Sequence, residues 1–162
     1  MRFTAAVVTI SDKGAAGERA DDSGDLLERL LMGFGAGTVS RTIVPDEQEK
    51  ITETLIQLCG HGADLIITNG GTGLGPRDIT PEATLDVIER QAPGFTETMR
   101  TRSLAITPRA MLSRAVAGTR GRTLIINFPG SPKACEESFA VIEPALGHAL
   151  ELLAGRGREC GR

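Results

Sequence analysis

The residues best suited to chemistry lie in one glycine-rich segment, Asn69-Gly70-Gly71-Thr72-Gly73-Leu74-Gly75-Pro76-Arg77-Asp78. An apolar run over 64–68 precedes this segment and predicts a buried strand, and an amphipathic run over 83–90 follows it and predicts a helix. Because glycines allow sharp turns and close approach, the backbone N–H groups of such a loop can converge on an anion. Asp78 would present a carboxylate beside those amides. A phosphate cradle next to an acid predicts nucleotide or phosphate-ester chemistry with a divalent metal.

Two further acidic side chains follow predicted strands. Asp12 comes after a strand predicted over 3–10, and Asp46 comes after one predicted over 39–44. In open α/β sheets, ligands bind beyond the carboxyl ends of the strands, and Mg²⁺ prefers a few carboxylates together with water and phosphate oxygens. Asp46 and Asp78 are therefore the leading metal and phosphate-site acids, with Asp12 as a further candidate. Each aspartate taken alone is equally consistent with a turn or a helix cap.

A fourth loop, over 129–133, follows the last predicted strand. In this loop Ser131 suits a helix N-cap and Pro132 suits the first helical position. Lys133 at this helix start either reaches a phosphate or is simply solvated. All four loops are expected on one rim of the sheet, which strengthens the prediction of a site there.

Two common alternatives are disfavoured by the motifs themselves. The glycine loop lacks the Gly-Lys-Ser/Thr ending of a P-loop, and it follows the third predicted strand, unlike the Rossmann glycine motif. Ser11 and Ser131 have no matching histidine partner, since His61 and His148 both fall on predicted helices or helix ends. A Ser-His-Asp hydrolase is therefore not expected.

The elements that must position these loops alternate along the chain. Helices are predicted between the strands, over 21–32 and 47–59. This alternation predicts a three-layer α/β fold, with a mostly parallel sheet and helices on both faces. Later, runs over 113–119 and 123–128 flank a glycine-containing turn, which predicts a hairpin and an antiparallel strand at or near one edge.

Several helix ends are also predicted. Ser23 is a possible N-cap of the first helix, and Thr80 is the expected cap of the helix after the glycine loop, with Pro81 starting it. The last helix is expected to break before Pro144 and to resume to Leu153. The 162 residues are expected to form a single domain with a frayed tail over 155–162.

Composition excludes several classes of protein. Aromatic residues make up 3% of the chain, with no Trp or Tyr, and the net charge is −3, so neither nucleic acid nor an anionic membrane surface is an expected partner. No apolar run approaches the length of a membrane span, and a strand-like start gives no sign of a cleaved signal peptide. The three cysteines, Cys59, Cys135 and Cys160, form no CxxC motif, which favours a reducing cytoplasm over a disulfide framework or zinc ribbon.

Positive charge is concentrated in the second half of the chain. No acidic residue occurs between Thr98 and Cys135, whereas the stretch holds Arg100, Arg102, Arg109, Arg114, Arg120, Arg122 and Lys133. This pattern is typical of a solvated basic face. It is also typical of a pocket wall for a multiply anionic ligand, since Arg pairs with phosphate in bidentate fashion.

Together these motifs resemble the MogA/MoaB family of molybdopterin-binding proteins, whose active members are molybdopterin adenylyltransferases. The resemblance covers nearly the whole chain and is carried by Gly70-Gly71-Thr72-Gly73, Pro76-Arg77-Asp78-Ile79-Thr80-Pro81-Glu82-Ala83, Thr9-Ile10-Ser11-Asp12, Val44-Pro45-Asp46-Glu47, Ala92-Pro93-Gly94-Phe95 and Phe128-Pro129-Gly130-Ser131-Pro132-Lys133. It implies a three-layer α/β fold, a homotrimer, and the transfer of AMP from ATP to molybdopterin with Mg²⁺ as cofactor and pyrophosphate as product. A separate enzyme would insert molybdate.

The resemblance also implies roles for individual residues. By matching motif, Asp46 and Asp78 correspond to the acids of catalysis and metal binding. The residues that correspond to the nucleotide and pterin-phosphate site, or to its walls, are Ser11, Asp12, Gly70, Gly71, Thr72, Gly73, Thr80, Pro129, Gly130, Ser131 and Lys133. Two other functions stay open: a protein that binds molybdopterin without chemistry, and a scaffold of the same fold.

Overall fold

Six strands and six helices build the part of the chain that the computed structural model describes, residues 2–156. The strands are β1 (Phe3–Ile10), β2 (Ala36–Val44), β3 (Leu65–Asn69), β4 (Arg90–Gln91), β5 (Ala117–Arg120) and β6 (Thr123–Phe128). The helices are α1 (Asp12–Ala15), α2 (Asp22–Phe34), α3 (Gln48–Gly60), α4 (Thr80–Leu85), α5 (Pro93–Leu104) and α6 (Pro132–Leu153), with a 3-10 helix over Pro108–Leu112. No helix in this described range has the length and apolar character needed to cross a membrane.

The strands form one mixed sheet in the order β2-β1-β3-β6-β5-β4. The neighbours β2, β1, β3 and β6 are parallel, so their carboxyl ends lie on one edge. β5 runs antiparallel to β6, and the two-residue β4 runs antiparallel to β5 at the end of the sheet. The predicted fold class, with its antiparallel strand near one edge, is confirmed.

Helices cover both faces of the sheet. On one face α2, α5 and α6 pack through residues such as Leu27, Met99 and Phe139 against β-strand side chains including Ile67. On the other face α3 and α4 pack against a second set that includes Ile66. Because β3 is covered on both faces, its side chains are buried at every position, which explains its unbroken apolar run. Full burial of a leucine such as Leu27 stabilises the fold by about 1.5–3 kcal/mol.

The prediction of a helix over 83–90 is wrong at the C-terminal end. α4 stops at Leu85, and the chain turns through bonds from the N–H groups of Val87 and Ile88 to Thr84 O. The N–H of Glu89 then donates to Thr119 O, and Arg90 of β4 pairs with Thr119 of β5. Sheet pairing at the edge therefore replaces the last turn of the expected helix.

Two predicted caps are also wrong. Asp21, not Ser23, caps α2, because its side chain accepts from the Gly24 N–H, whereas the Ser23 hydroxyl donates to Gly130 O. Thr80 is the first residue of α4 rather than its cap, and its hydroxyl donates to Gly70 O. The predicted cap at Ser131, by contrast, is confirmed by its bond from the Ala134 N–H.

The predicted break before Pro144 does not occur, since α6 runs without interruption from Pro132 to Leu153. Pro144 lacks an N–H to donate to Ala140 O, but both residues lie on the exposed side of the helix, where water can satisfy that carbonyl. Ile142 and Leu146 on either side remain buried. Of the tail predicted to be frayed, residues 157–162, including Cys160, lie outside the described residues.

Candidate functional site

The loops after β1, β2, β3 and β6 meet at the carboxyl edge of the sheet, as the sequence predicted. There they enclose a cavity of about 510 Å³, which we call the acidic cavity. Its walls include carboxylates from three of these loops and the backbone of four glycines, Gly14, Gly70, Gly71 and Gly130. The lining residues that matter here are Ser11, Arg19, Asp21, Asp22, Asp46, Asn69, Gly70, Gly71, Asp78, Gly130 and Ser131.

The glycine loop takes a backbone path that requires glycine. Gly70 and Gly71 have φ angles of 96° and 65°, in the left-handed region, which costs other residues about 1–2 kcal/mol. A Cβ on Gly70 would lie 2.4 Å from Ile10 O. The loop is braced from behind by the fully buried Thr80, whose N–H donates to Gly71 O at 3.1 Å and whose hydroxyl donates to Gly70 O at 2.9 Å.

Asp78 lies beside this loop. Its Oδ2 accepts from the Gly75 N–H at 2.8 Å, and its own N–H donates to Gly75 O at 3.0 Å. A Cβ on Gly73 or Gly75 would come within 2.9 or 2.8 Å of Oδ2. The absence of side chains at these two positions therefore leaves room for the carboxylate at the wall of the acidic cavity.

Asp46 and Asp12 tie the neighbouring loops together. The Asp12 N–H donates to Asp46 Oδ2 at 2.9 Å, and the Asp46 N–H donates to Asp12 Oδ1 at 3.0 Å. Asp12 also forms a two-point ion pair with Arg77 of the glycine loop, with Nε–Oδ2 and Nη2–Oδ1 distances of 2.6 and 2.9 Å. Three loops are thus cross-linked around the acidic cavity.

These contacts shift the pKa values of the two acids in opposite directions. Burial is the main cause that raises the pKa of Asp46, and the carboxylates of Asp12 and Asp78 raise it further. The hydrogen bonds from Arg77 lower the pKa of Asp12. A carboxylate that is partly desolvated and close to like charges favours a cation beside it, so Asp46 is electrostatically suited to a divalent metal.

The donor set suits a metal that arrives with a phosphate ligand. Among residues 2–156, no group of three His, Cys, Asp or Glu side chains could hold an ion. Mg²⁺ does not need one, since it commonly uses one or two carboxylates and completes its shell with phosphate oxygens and water. Asp46 and Asp78 at the wall of one cavity fit that requirement, and their metal role stays a prediction.

Sequence reasoning missed the part of the cavity wall formed by Thr9, Asp21 and Asn69. Here Asp21 Oδ1 accepts from the Thr9 hydroxyl at 2.9 Å, and Thr9 Oγ1 accepts from Asn69 Nδ2 at 3.0 Å. Arg41 Nη2 lies 2.8 Å from Asp21 Oδ2. The sequence Asp21-Asp22-Ser23 could have indicated Asp21 as the cap, because aspartate is as good an N-cap as serine.

A second cavity also borders the glycine loop and has a volume of about 270 Å³. We call it the arginine cavity, because Arg100 and Arg109 line it together with apolar side chains. Other residues at its wall include Thr72, Gly73, Met99, Ser113, Ala115, Pro129 and Ser138. The segment over 70–73 therefore contributes to both cavities: its first two residues line the acidic cavity and its last two line the arginine cavity.

The predicted site residues divide accordingly. Seven line the acidic cavity: Ser11, Asp46, Gly70, Gly71, Asp78, Gly130 and Ser131. Thr72, Gly73 and Pro129 line the arginine cavity. Asp12, Thr80 and Lys133 line neither: Asp12 is paired with Arg77, Thr80 lies buried behind the loop, and Lys133 is exposed.

Comparisons with known proteins agree on one relationship. A family model described as a probable molybdopterin binding domain matches residues 6–148. The molybdopterin adenylyltransferase of Helicobacter pylori strain J99 is 40% identical over 152 residues, covering 92% of this chain and 86% of that protein. The enzyme of the same name from Escherichia coli K12 is 39% identical over 147 residues, with 89% and 75% covered. The crystal structure of MoaB from Thermus thermophilus superposes with a TM-score of 0.89 at 47% identity, covering 96% and 98% of the two chains.

Proposed function

Since this chain belongs to the molybdopterin-binding family that includes MogA and MoaB, we propose that it is a molybdopterin adenylyltransferase of molybdenum cofactor biosynthesis. It transfers AMP from ATP to molybdopterin and releases pyrophosphate. Relatives that are 39–40% identical over most of their length carry that name. The proposal is supported by Asp46 and Asp78, which line the acidic cavity together with Gly70 and Gly71.

One observation carries the proposal: consecutive residues of a single glycine loop line two different cavities. AMP transfer joins two substrates through their phosphates, so the two phosphates must meet at one point while the remaining parts of each substrate lie apart. Gly70 and Gly71 line the acidic cavity, and Thr72 and Gly73 line the arginine cavity. The segment over 70–73 is therefore a suitable meeting point for the two phosphates.

The mechanism follows from this arrangement. The terminal phosphate of molybdopterin attacks the α-phosphorus of ATP, and pyrophosphate leaves. Little covalent work falls to the protein in such a transfer, so positioning and charge stabilisation dominate. Asp46 and Asp78 would hold Mg²⁺, which when bound neutralises negative charge on the transferring phosphates. Loop amides, with Arg19 at the acidic cavity and Arg109 at the arginine cavity, would supply further positive potential.

The decisive experiment is pyrophosphate release from molybdopterin and Mg-ATP. We expect Asp78→Asn to reduce turnover by roughly two orders of magnitude or more, the scale of losing a preorganised charge contact, while the variant still folds. Asp86→Asn is the matched control, since Asp86 is exposed at the end of α4 and contacts Gln48 away from both cavities. Wild-type turnover in Asp78→Asn would remove Asp78 from the mechanism.

The same experiment separates the other two functions. A thermal shift with molybdopterin or Mg-ATP but no pyrophosphate release would indicate a binding protein. Neither a shift nor turnover would indicate a scaffold. Retention of Asp46 and Asp78 beside an intact glycine loop favours the enzyme, because a scaffold has no physical need for acids at a phosphate cradle.

The assembly and cellular setting are part of the proposal. We expect a cytoplasmic homotrimer that passes its adenylated product to a separate molybdate-inserting enzyme. Large apolar side chains exposed on α5, on the 3-10 helix and on the link between them support self-association: Leu104, Ile106, Met111 and Leu112 are 44–69% exposed. Light scattering gives the mass of the assembly directly, and a monomer at micromolar concentration would contradict the trimer.

A further inference from the structure

Arg114 contacts both ends of the part of the glycine loop over 73–78. Its Nε donates to Gly73 O at 2.7 Å, and its Nη2 donates to Asp78 O at 2.5 Å. Its backbone N–H donates to Thr72 O at 2.8 Å. Its remaining nitrogen, Nη1, pairs with Glu82 Oε1 at the start of α4. One side chain therefore connects the segment over 72–78 to the helix that follows it.

The geometry of the guanidinium makes this contact rigid. Its N–H groups form a planar fork with fixed directions, so two carbonyls bound to it cannot move independently. The two carbonyls belong to Gly73 and Asp78, and the chain between them holds the Gly75 N–H that binds the Asp78 carboxylate. Fixing both ends of the loop therefore fixes where Oδ1 and Oδ2 of Asp78 lie at the acidic cavity.

Glu82 is the carboxylate partner of Arg114. Its Oε1 pairs with Nη1, and this hydrogen bond lowers the pKa of Glu82. Its Oε2 is buried with no hydrogen-bond partner in the described part of the chain. The residues next to Arg114, Ser113 and Ala115, line the arginine cavity, so Arg114 also joins the wall of that cavity to the loop.

We propose that Arg114 is a positioning residue for AMP transfer: it holds the loop over 73–78 so that Asp78 faces the acidic cavity, and Glu82 orients its guanidinium. This inference rests on the proposed function. Arg114 lines neither cavity, so it acts through the loop and not by touching substrate. Its loss should slow the chemical step and leave the affinity for ATP largely intact.

The test compares Arg114→Lys, Arg114→Ala and Glu82→Gln with a matched pair, Arg122→Lys and Arg122→Ala. Arg122 lies at the opposite edge of the sheet, where its side chain contacts Ala154 O. We expect Arg114→Lys to lower kcat by about 10- to 100-fold, as a displacement of about 1 Å can, while KM for Mg-ATP changes by less than about threefold. Methylguanidinium should restore part of kcat in Arg114→Ala, and methylammonium should not, because only the former supplies a planar fork.

Hydrogen exchange gives a readout that does not depend on turnover. Amides over 74–79 should exchange at least about tenfold faster in both Arg114 variants than in the wild type, whereas β3 and β6 should be unchanged. If the wild-type protein releases no pyrophosphate, the proposed function fails, and the exchange data still decide whether Arg114 holds the loop. If Arg114→Ala does not fold, Arg114→Lys and Glu82→Gln carry the test. Unchanged exchange with unchanged kcat, or a loss confined to KM, would overturn the inference.

Discussion

At the scale of single residues, the site separates two aspartates that look alike in sequence. Asp12 and Asp46 exchange backbone hydrogen bonds, yet only Asp12 has an arginine partner. Asp46 is left partly desolvated between Asp12 and Asp78, which together with its burial raises its pKa. Asp46 is thus the acid that gains most from a bound cation, and its ionisation without one opposes folding.

A pH prediction follows for Asp46. Its pKa in the folded state is above that of the unfolded chain, so its contribution to stability is present at low pH and is lost as the pH rises through the folded value. Asp46→Asn should therefore keep or increase the free energy of unfolding at pH 7, since the amide oxygen can still accept from the Asp12 N–H. Turnover should be lost in the same variant, because the amide is a poor ligand for Mg²⁺.

Asp12→Asn is the control, because its expected effect on stability at pH 7 is opposite to that of Asp46→Asn. Arg77 lowers the pKa of Asp12 in the folded state, so its stabilisation is present above the unfolded value and is lost as the pH falls through the folded one. This variant should lower stability at pH 7. Urea denaturation of both variants at pH 7 and pH 4 checks the pair, and a clear loss of stability in Asp46→Asn at pH 7 would show that the burial argument is wrong.

Among single residues, the sequence predicted placement best where a residue follows a parallel strand. Asp46 and Asp78 follow β2 and β3, and both line the acidic cavity as expected. Arg114 was visible only as one member of a basic stretch. It escaped prediction because its partners are backbone carbonyls and an acid 32 residues away in sequence, and no local pattern reports contacts of that kind.

At the scale of elements, α6 shows how packing overrides a local rule. A proline inside a helix lacks one hydrogen bond and crowds the preceding turn, which is why a break before Pro144 was predicted. The helix continues because Ile142, Leu146 and Leu150 on its inner side are held in the core of one face of the sheet. Pro144 therefore still destabilises the folded state, and replacing it should increase the free energy of unfolding.

Pro144→Ala tests this account. The new N–H can donate to Ala140 O, and the exposed position leaves room for the smaller side chain. We expect the free energy of unfolding to rise by about 1–3 kcal/mol, less than the full cost of an interior proline because the native helix is already adapted to it. Denaturant unfolding measures the change. A loss of stability would indicate that Pro144 instead stabilises the fold by restricting the unfolded chain.

At the β4 edge of the sheet, a local pattern predicted a helix where pairing with a neighbouring strand forms a strand instead. The run over 83–90 has helical spacing, but its last residues pair with β5. Gly118 makes that pairing possible, because a Cβ there would lie 2.5 Å from both Arg90 O and Ile88 Cδ1. The parallel strands were recognisable from their own composition, whereas β4 has only two residues and is defined by its partner.

At the scale of the whole molecule, the site lies where the chain reverses its direction of winding. From β1 the chain passes through α2 on one face to β2, whereas β1's other neighbour, β3, is reached through α3 on the opposite face. Such a reversal opens a crevice beyond the carboxyl ends of the two central strands. The bond from Asn69 to Thr9 joins β1 to β3 at that crevice, and the acidic cavity lies above it.

Because the cavity draws on four loops, ligand binding should stabilise the whole fold. At 100 times its Kd, Mg-ATP adds about 2.7 kcal/mol, which for a chain of this size raises Tm by about 5–10 °C. Removing the metal with EDTA should abolish most of this shift, as should Asp46→Asn. Differential scanning calorimetry with matched ionic strength makes the comparison. An equal shift with and without EDTA would mean that the phosphates bind through the protein's own groups without the metal.

Both cavities lie at the carboxyl ends of the parallel strands, and the amino ends of these strands lie on the opposite side of the molecule. This difference has a practical consequence. The hairpin turn at Gly121 and Arg122, the turn over 61–64 that precedes β3, and the final turn of α6 all lie at the amino edge, far from both cavities. A fluorophore, an affinity handle or a flexible tether attached at the hairpin turn would leave the route to both cavities clear. The molecule can therefore be immobilised with its reactive rim facing outward.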